Sequence, residues 1–220
     1  MVVYPHELRE KFRSRDLVGQ FMLCKNAELI PDGWTTYRLN YWLVACHPVL
    51  PCTELKATTG ETFGYLIGYY ISREGVLLGS VGLSYLPNQL TDFESFLYGF
   101  SGRFVAVMLA TDSARIYLDP CGSLSVVYSP HQEVVSSSPA LIPYSKETAD
   151  KREFIEAIGI PFTNAMYPLG ATPRHGVDRL LPNHCLDLTS WQAVRHWPST
   201  KLAKTTNTSA AVAEIARLAM

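Results

Sequence analysis

The sequence predicts an α+β fold, on three observations. Short runs rich in β-branched and aromatic residues alternate with turn residues, which is typical of antiparallel strands. These strands come in two groups, with segments of helical periodicity between and after them. Hydrophobic residues make up 47% and charged residues 18% of the 220 residues, so the chain is apolar enough to fill a sizeable core.

The first half of the chain is predicted to be mostly β-structure. Residues 6–16 are expected to form a short helix or an ordered arm. Strands are expected at residues 20–24, 37–44, 65–71 and 76–81, with a turn at 31–33. A helix is predicted over 90–100, because Leu90, Phe93, Leu97 and Phe100 recur at helical spacing.

The second group of strands follows this helix. Residues 104–109, 115–118 and 125–128 are predicted to be adjacent antiparallel strands of one sheet, because tight turns separate them. Residues 134–138 end the group. Beyond it we expect a helix over 146–158, stopped by Gly159, and a hairpin of 184–188 with 193–196. The chain then continues through a linker at 198–207 into an Ala-rich helix over 209–220.

Charge and cysteine usage exclude several classes of function. The formal net charge is −1, and the densest basic segment, residues 9–15, is interrupted by Glu10, so nucleic acid is not an expected partner. No run approaches the ~18 apolar residues of a membrane helix. The cysteines number five, an odd count, and no secretory segment precedes them, which predicts free thiols and a cytoplasmic location.

Metal and cofactor sites are not predicted. Cys46 and His47 with Cys52 lack a second Cys/His pair at ligand spacing, so no metal is expected. There is no P-loop and no dinucleotide fingerprint, so no cofactor is expected either. His175 and His184 are interpreted as structural histidines, and Cys121 as a free thiol packed beside a turn.

A family resemblance rests on segments that occur in a fixed order. Residues 100–107 (FSGRFVAV) are similar to an L-D-G-x-F-A-F stretch, and residues 118–128 (LDPCGSLSVVY) to R-D-x-x-G-x-x-P-L-Y-Y. Residues 135–141, 176–186 and 195–198 are similar to F-A-S-E-x-K-A-L, G-I-x-x-L-x-P-G-H-x-L and R-Y-W. The chain therefore resembles the N-terminal glutaminase-type domain, a class II glutamine amidotransferase domain, of asparagine synthetase-like proteins.

This resemblance implies a fold and a domain organisation. The fold would be a four-layer αββα sandwich of two antiparallel sheets, as in N-terminal-nucleophile hydrolases. Residues 1–197 would be the amidotransferase-like domain, and 198–220 a linker with the start of a helix that enters a synthetase domain. The expected partners are that synthetase domain or a partner protein, with a homo-oligomer as a further possibility and no membrane.

The resemblance also shows which catalytic groups the sequence lacks. The family attacks glutamine with an N-terminal Cys, but here Val2 follows Met1, and no Cys, Ser or Thr precedes Ser14. The carboxylate of L-D-G, which holds the substrate ammonium, is replaced by Ser101. The family's Asn-Gly oxyanion donors have their only similar stretch at residues 59–61, where Thr59 replaces the amide.

No catalytic residue is therefore predicted, and the candidates for a relict pocket are Val2, Ser101, Gly102, Asp119 and Gly122. Gly102 is expected where a helix ends and a buried strand begins, and Gly122 at a turn position with positive φ. Asp119 is expected to bind backbone amides of its turn. The favoured function is an inactive glutaminase-like domain with a structural or docking role in an ATP-dependent, amide-forming protein, as in β-lactam synthetase-like relatives. The alternatives are an active N-terminal hydrolase with an unusual nucleophile and a stand-alone small-molecule binding module.

Overall fold

The computed structural model describes residues 17–72, 75–76, 81–83, 90–110, 113–160, 167–198, 201 and 207–219. In this part of the chain all strands belong to two sheets, and the helices are few. The predicted α+β sandwich of two sheets is confirmed. The arm expected at residues 6–16 lies outside the described residues.

One sheet has six strands, all paired antiparallel. In spatial order they are β12 (Asp178–Arg179), β10 (Val127–Ser129), β11 (Val134–Ser136), β1 (Phe21–Cys24), β3 (Trp42–Cys46) and β2 (Thr35–Leu39). The segment 37–44, expected as one strand, is instead a hairpin. Asn40 turns the chain with φ of +56°, a conformation that Asn tolerates better than most residues.

The other sheet has eight strands and carries the strongest apolar run of the chain. In spatial order they are β14 (Gln192–Arg195), β13 (His184–Asp187), β9 (Ser113–Leu118), β8 (Ser101–Ala110), β5 (Thr62–Ser72), β4 (Cys52–Ala57) and β7 (Val81–Leu83), with β6 (Gly75–Val76) paired to β5. The pairing of β4 with β7 is parallel, so this sheet is not wholly antiparallel as expected.

The core has layers on both faces of the eight-stranded sheet. Alternate residues of β8 point in opposite directions, so Val105 and Val107 pack between the sheets, while Phe104 and Ala106 face a helix. That helix, α1 (Leu90–Leu97), buries Phe93 completely against this face. Burial on both faces explains why β8 reads as a continuous apolar run instead of alternating with polar residues.

The outer face of the six-stranded sheet is covered differently. Its buried side chains pack against Leu29 and Leu141, which belong to the 3-10 turns Ala27–Leu29 and Pro139–Leu141. Among the described residues, these turns and the loop around Val177 form this layer where the four-layer expectation places helices.

The strand at residues 125–128 was predicted in the wrong sheet. β8 and β9 are adjacent and antiparallel as predicted, but β10 belongs to the six-stranded sheet. The chain crosses from one sheet to the other after β9, and the side chains of Leu124 and Val126 fill the core between the sheets on the way. A turn between two β-rich runs therefore does not mean that those runs pair.

The helix predicted over 146–158 is also wrong in its first half, because α2 spans only Arg152–Ala157. The preceding residues use their backbone groups elsewhere. Asp150 forms an isolated bridge with Arg174, and the amide of Lys151 donates to the carbonyl of Pro173 at 2.8 Å. The C-terminal helix α3 (Thr208–Ala219) and the hairpin of β13 and β14 are confirmed.

Candidate functional site

Ser101 and Gly102 begin β8 at an open end of the sandwich. β8 pairs with β5 so that Ser101 lies opposite Ile71, and Arg103 opposite Tyr69. Alternation places these four side chains on the face that is buried between the sheets further along the strands. Here they are exposed, Tyr69 by 55% and Ile71 by 47%. The hydroxyl of Ser101 is thus solvent-exposed at the beginning of β8.

Gly102 has a structural role that excludes any other residue. Its φ is +136°, and a Cβ at this position would collide with the carbonyl oxygen of Tyr69 and lie 2.9 Å from the Cα of Tyr70. Only glycine combines this backbone conformation with so close an approach of β5 and β8. Gly102 therefore shapes the open end without supplying a chemical group.

Asp119 is fully buried in the turn that follows β9. Its carboxylate accepts hydrogen bonds from the amides of Cys121 and Ser123, both at 2.9 Å, and more weakly from those of Leu124 and Phe104, both at 3.4 Å. Several donors to one buried carboxylate offset the cost of its desolvation. The predicted role of Asp119 as a binder of backbone amides is confirmed.

Gly122 completes the same turn. Its φ is +61°, as predicted, and its amide donates to the carbonyl of Asp119 at 2.9 Å. The loop of Pro182 packs against it, because a Cβ on Gly122 would lie 3.0 Å from the Cγ of that proline. The turn lies at the same end of the sheet as Ser101, since the amide of Asp119 donates to the carbonyl of Phe104 at 3.0 Å.

Two other groups from the sequence do not join this end. Thr59 lies in the turn between β4 and β5, whereas Ser101 pairs near the far end of β5, a strand of 11 residues. At ~3.3 Å per residue the two ends of β5 are roughly 30 Å apart, so Thr59 is not an oxyanion donor for this site. Val2 lies outside the described residues.

A pocket of about 310 Å³ opens on the other face of the eight-stranded sheet. It lies between the end of α1, the turn after β9 and the residues that follow β14. Its lining residues are Leu97, Tyr98, Phe104, Leu118, Pro120, Asn183, His196 and Trp197. Phe104 faces the helix side of β8, whereas Ser101 lies on the opposite face of that strand.

His196 is the titratable group of this pocket. Its ring stacks on Tyr98 with an interplanar angle of 9°, and its Nδ1 lies 3.1 Å from the Tyr98 hydroxyl. The ring of Tyr117 meets it edge-on, with 5.2 Å between centroids. Burial lowers the pKa of His196 to about 4, with a further contribution from the charge of nearby His184. The imidazole is therefore neutral at physiological pH.

A polar network that includes Tyr117 adjoins this pocket. The hydroxyl of Tyr117 donates to Oε1 of Glu94 at 3.1 Å. Arg115 lies between two carboxylates, with its Nη1 4.0 Å from Oε1 of Glu94 and its Nε 3.5 Å from Oδ2 of Asp187. Burial raises the pKa of Tyr117 above its ordinary value. The network joins α1 to β9 and β13, and its member Tyr117 contacts the ring of His196 at the pocket.

Arg174 is the most densely bonded side chain that sequence reasoning missed. It is 6% exposed, and its guanidinium donates to the backbone carbonyls of Pro139, Ile142, Pro143 and Thr148. Burial lowers the pKa of Arg174, while the charge of Asp150 opposes this shift. The surrounding segment is irregular, with no pattern that marks an arginine as central, and the side chain organises the loop at 139–148.

The histidines and cysteines make no metal site in the described part of the chain. No group of three or more His, Cys, Asp or Glu side chains there is arranged to hold a metal ion. His175 and His184 line different pockets, and the histidine that His184 influences electrostatically is His196. Cys121 is exposed at the turn that we expected it to pack beside.

A scan against models of known protein families finds no match to this chain, and no curated protein matches it significantly. In the part of the chain that the structure describes, no helix has the length and apolar character needed to cross a bilayer.

Proposed function

We propose that this chain is a catalytically inactive glutaminase-type domain with a structural or docking role in an ATP-dependent, amide-forming protein. The segments that resemble asparagine synthetase-like proteins support the family, and two packed sheets are compatible with an N-terminal-nucleophile hydrolase fold. A location in the cytoplasm, a synthetase domain as partner, and the four-layer form of that fold belong to the same proposal.

One observation carries the proposal: the open end of β8 presents a hydroxyl where the family needs a carboxylate. Ser101 is exposed there, and the carboxylate of Asp119, in the turn at the same end of the sheet, is buried and bonded to backbone amides. A neutral hydroxyl cannot form an ion pair with the ammonium group of glutamine. Among the described residues of this end, Arg103 adds a positive charge, which repels that ammonium further.

Catalysis would fail for independent chemical reasons. Amide hydrolysis in this family needs a nucleophile next to the α-amine and donors aimed at the developing oxyanion. Val2 offers only a hydrocarbon side chain, and Thr59 lies at the far end of β5. Each missing oxyanion donor costs about 3–4 kcal/mol of transition-state stabilisation, and the groups act as a unit.

The C-terminal helix supports the docking role. In α3 the side chains of Val212 and Ile215 are 59% and 66% exposed. They lie three residues apart and so share one helix face. An exposed apolar helix face is typical of a surface that another domain covers. The helix also follows the segment that resembles the end of the family's glutaminase domain.

The proposal is tested by the choice of nitrogen donor. A protein that joins this chain to an ATP-binding synthetase domain should form amide from a free amine or ammonium ion. Glutamine should not replace that donor, because this domain releases no ammonia. Amide formation from glutamine at a rate comparable to that from ammonium would contradict the proposal.

A pair of glutamate substitutions in α3 tests the docking surface separately. Ile215→Glu places a charge on the apolar face of α3 and should weaken association with the synthetase domain. Ala213→Glu is the control, because Ala213 is exposed and about 200° away around the helix. If the two variants associate equally well, measured by analytical ultracentrifugation of mixed domains, α3 is not the docking surface.

A further inference from the structure

The pocket at His196 has the composition of a site for a small molecule. Its volume of about 310 Å³ is at the lower end of the range for ligand pockets. Tyr98, Phe104 and Trp197 supply aromatic rings to its wall, and Leu97 and Leu118 supply aliphatic surface. None of the described lining residues carries a formal charge at neutral pH.

Hydrogen bonds between distant parts of the chain hold the polar groups of the pocket in place. The Tyr98 hydroxyl lies 3.1 Å from Nδ1 of His196 and donates to the carbonyl oxygen of the same residue at 3.2 Å, so Tyr98 fixes this histidine at the pocket. The carbonyl of Asn183 accepts from the amides of His196 and Trp197 at 3.0 and 3.4 Å. These bonds hold Asn183 and His196 side by side at the pocket.

We propose that this pocket binds an uncharged aromatic molecule of one or two rings that carries an amide group or a ring nitrogen. The aromatic wall favours a planar ring, because rings gain from edge-to-face and offset contacts. An amide or ring nitrogen matches the hydrogen-bonding capacity of the Asn183 amide and of the His196 imidazole, both from residues that line the pocket.

The uncharged lining of the pocket favours a neutral ligand over an ionic one. An ion buried against these residues would lose its hydration, and the described lining offers no counter-charge to replace it. His196 does not provide one either, because burial lowers its pKa to about 4. The inference is independent of the proposed function, because neither Ser101 nor Asp119 lines the pocket.

Three probes of nearly equal shape test this class directly. Benzamide is neutral, benzamidine is a cation and benzoate is an anion. We expect saturable binding of benzamide with a Kd on the order of 1 mM, as suits so small a molecule, and at least ~10-fold weaker binding of both ions. Equal binding of either ion, or no saturable binding of benzamide in a protein-observed NMR titration, would overturn the proposal.

Two tyrosines of similar exposure provide the matched variants. Tyr98 lines the pocket and is 49% exposed, whereas Tyr69 lies on the other face of the sheet and is 55% exposed. Tyr98→Ala removes one wall and releases the ring of His196, so it should weaken benzamide binding by ~10-fold. Tyr69→Ala should leave the affinity unchanged. An equal effect of both substitutions, with both proteins folded by circular dichroism, would place the binding elsewhere and refute the assignment.

Discussion

The buried carboxylate of Asp119 accepts the backbone amide of Ser123 through both of its oxygens, at 2.9 and 3.1 Å. The same side chain reaches the amide of Phe104, so it links the turn after β9 to the start of β8. In this chain a carboxylate near the open end of the sandwich is therefore part of the scaffold. It has no capacity left to bind the ammonium of a substrate.

Asp119→Ala is expected to destabilise the protein by about 3 kcal/mol. Removing the carboxylate leaves buried backbone amides without acceptors, and each unsatisfied buried donor costs about 1–3 kcal/mol. Urea unfolding followed by circular dichroism measures the change. Asp119→Asn retains one acceptor oxygen and should lose less.

The control for this turn is Asn26, whose side-chain oxygen accepts the amide of Glu28 at 3.0 Å in an exposed turn. Water can replace the lost bond there, so Asn26→Ala should cost about 1 kcal/mol. Equal losses at Asp119 and Asn26 would show that the buried network does not hold β8 and β9 together.

Gly102→Ala should cost about 3 kcal/mol, and Gly60→Ala about 1 kcal/mol, in the same unfolding measurement. Both glycines have positive φ, +136° and +87°. At Gly60 a Cβ would meet nothing within 4 Å, whereas at Gly102 it would strike the backbone of β5. The difference between the two variants thus isolates the close approach of the strands, and similar losses would contradict it.

Arg174→Lys is expected to destabilise the protein by about 3 kcal/mol, although it keeps the positive charge. A lysine has three donors at one point and cannot reach the separate carbonyls that the planar guanidinium binds. Arg179 on the exposed strand β12 is the control, and Arg179→Lys should change stability by less than about 0.5 kcal/mol. A loss below about 1 kcal/mol at Arg174 would refute its role in organising the loop at 139–148.

His196 should make stability depend on pH between about 6.5 and 4. Its folded pKa is depressed, so the unfolded chain binds a proton in this window and the folded protein does not. Stability from this group is therefore full above pH 6.5 and falls as the pH drops toward 4. The groups that face it are Tyr98, Tyr117 and His184.

His196→Phe keeps the ring packing and removes the titration, so the melting temperature should fall less steeply over this pH window. The same substitution at exposed His131 controls for the loss of an imidazole. An unchanged slope in His196→Phe would show that this histidine is not the group responsible.

Local features of the fold were predictable from the sequence, and the assignment of strands to sheets was not. The hairpin of β13 and β14, the helix α1 and the turn at Asp119 follow from patterns within a dozen residues. The position of β10 depends on where the chain goes after that turn. Leu124 and Val126 prefer the core between the sheets, and no local pattern reveals this crossing.

The turn at Asp119 and the pocket at His196 also differ in how far the sequence predicts them. The backbone roles of Asp119 and Gly122 were predictable because their hydrogen bonds and dihedral angles are local. The pocket at His196 combines Tyr98 with Asn183 and residues of three other segments, which only the tertiary fold brings together. Arg174 was missed for this reason too, because its acceptors lie 26 to 35 residues away.

The central claim is that this domain does not hydrolyse glutamine, and detection of glutamate released from glutamine by the purified chain tests it most directly. We expect no release above the no-enzyme control. Val2→Cys alone should also remain inactive, because the carboxylate and the oxyanion donors would still be missing. Glutamate release by the unmodified chain that is abolished by Ser101→Ala would contradict the account.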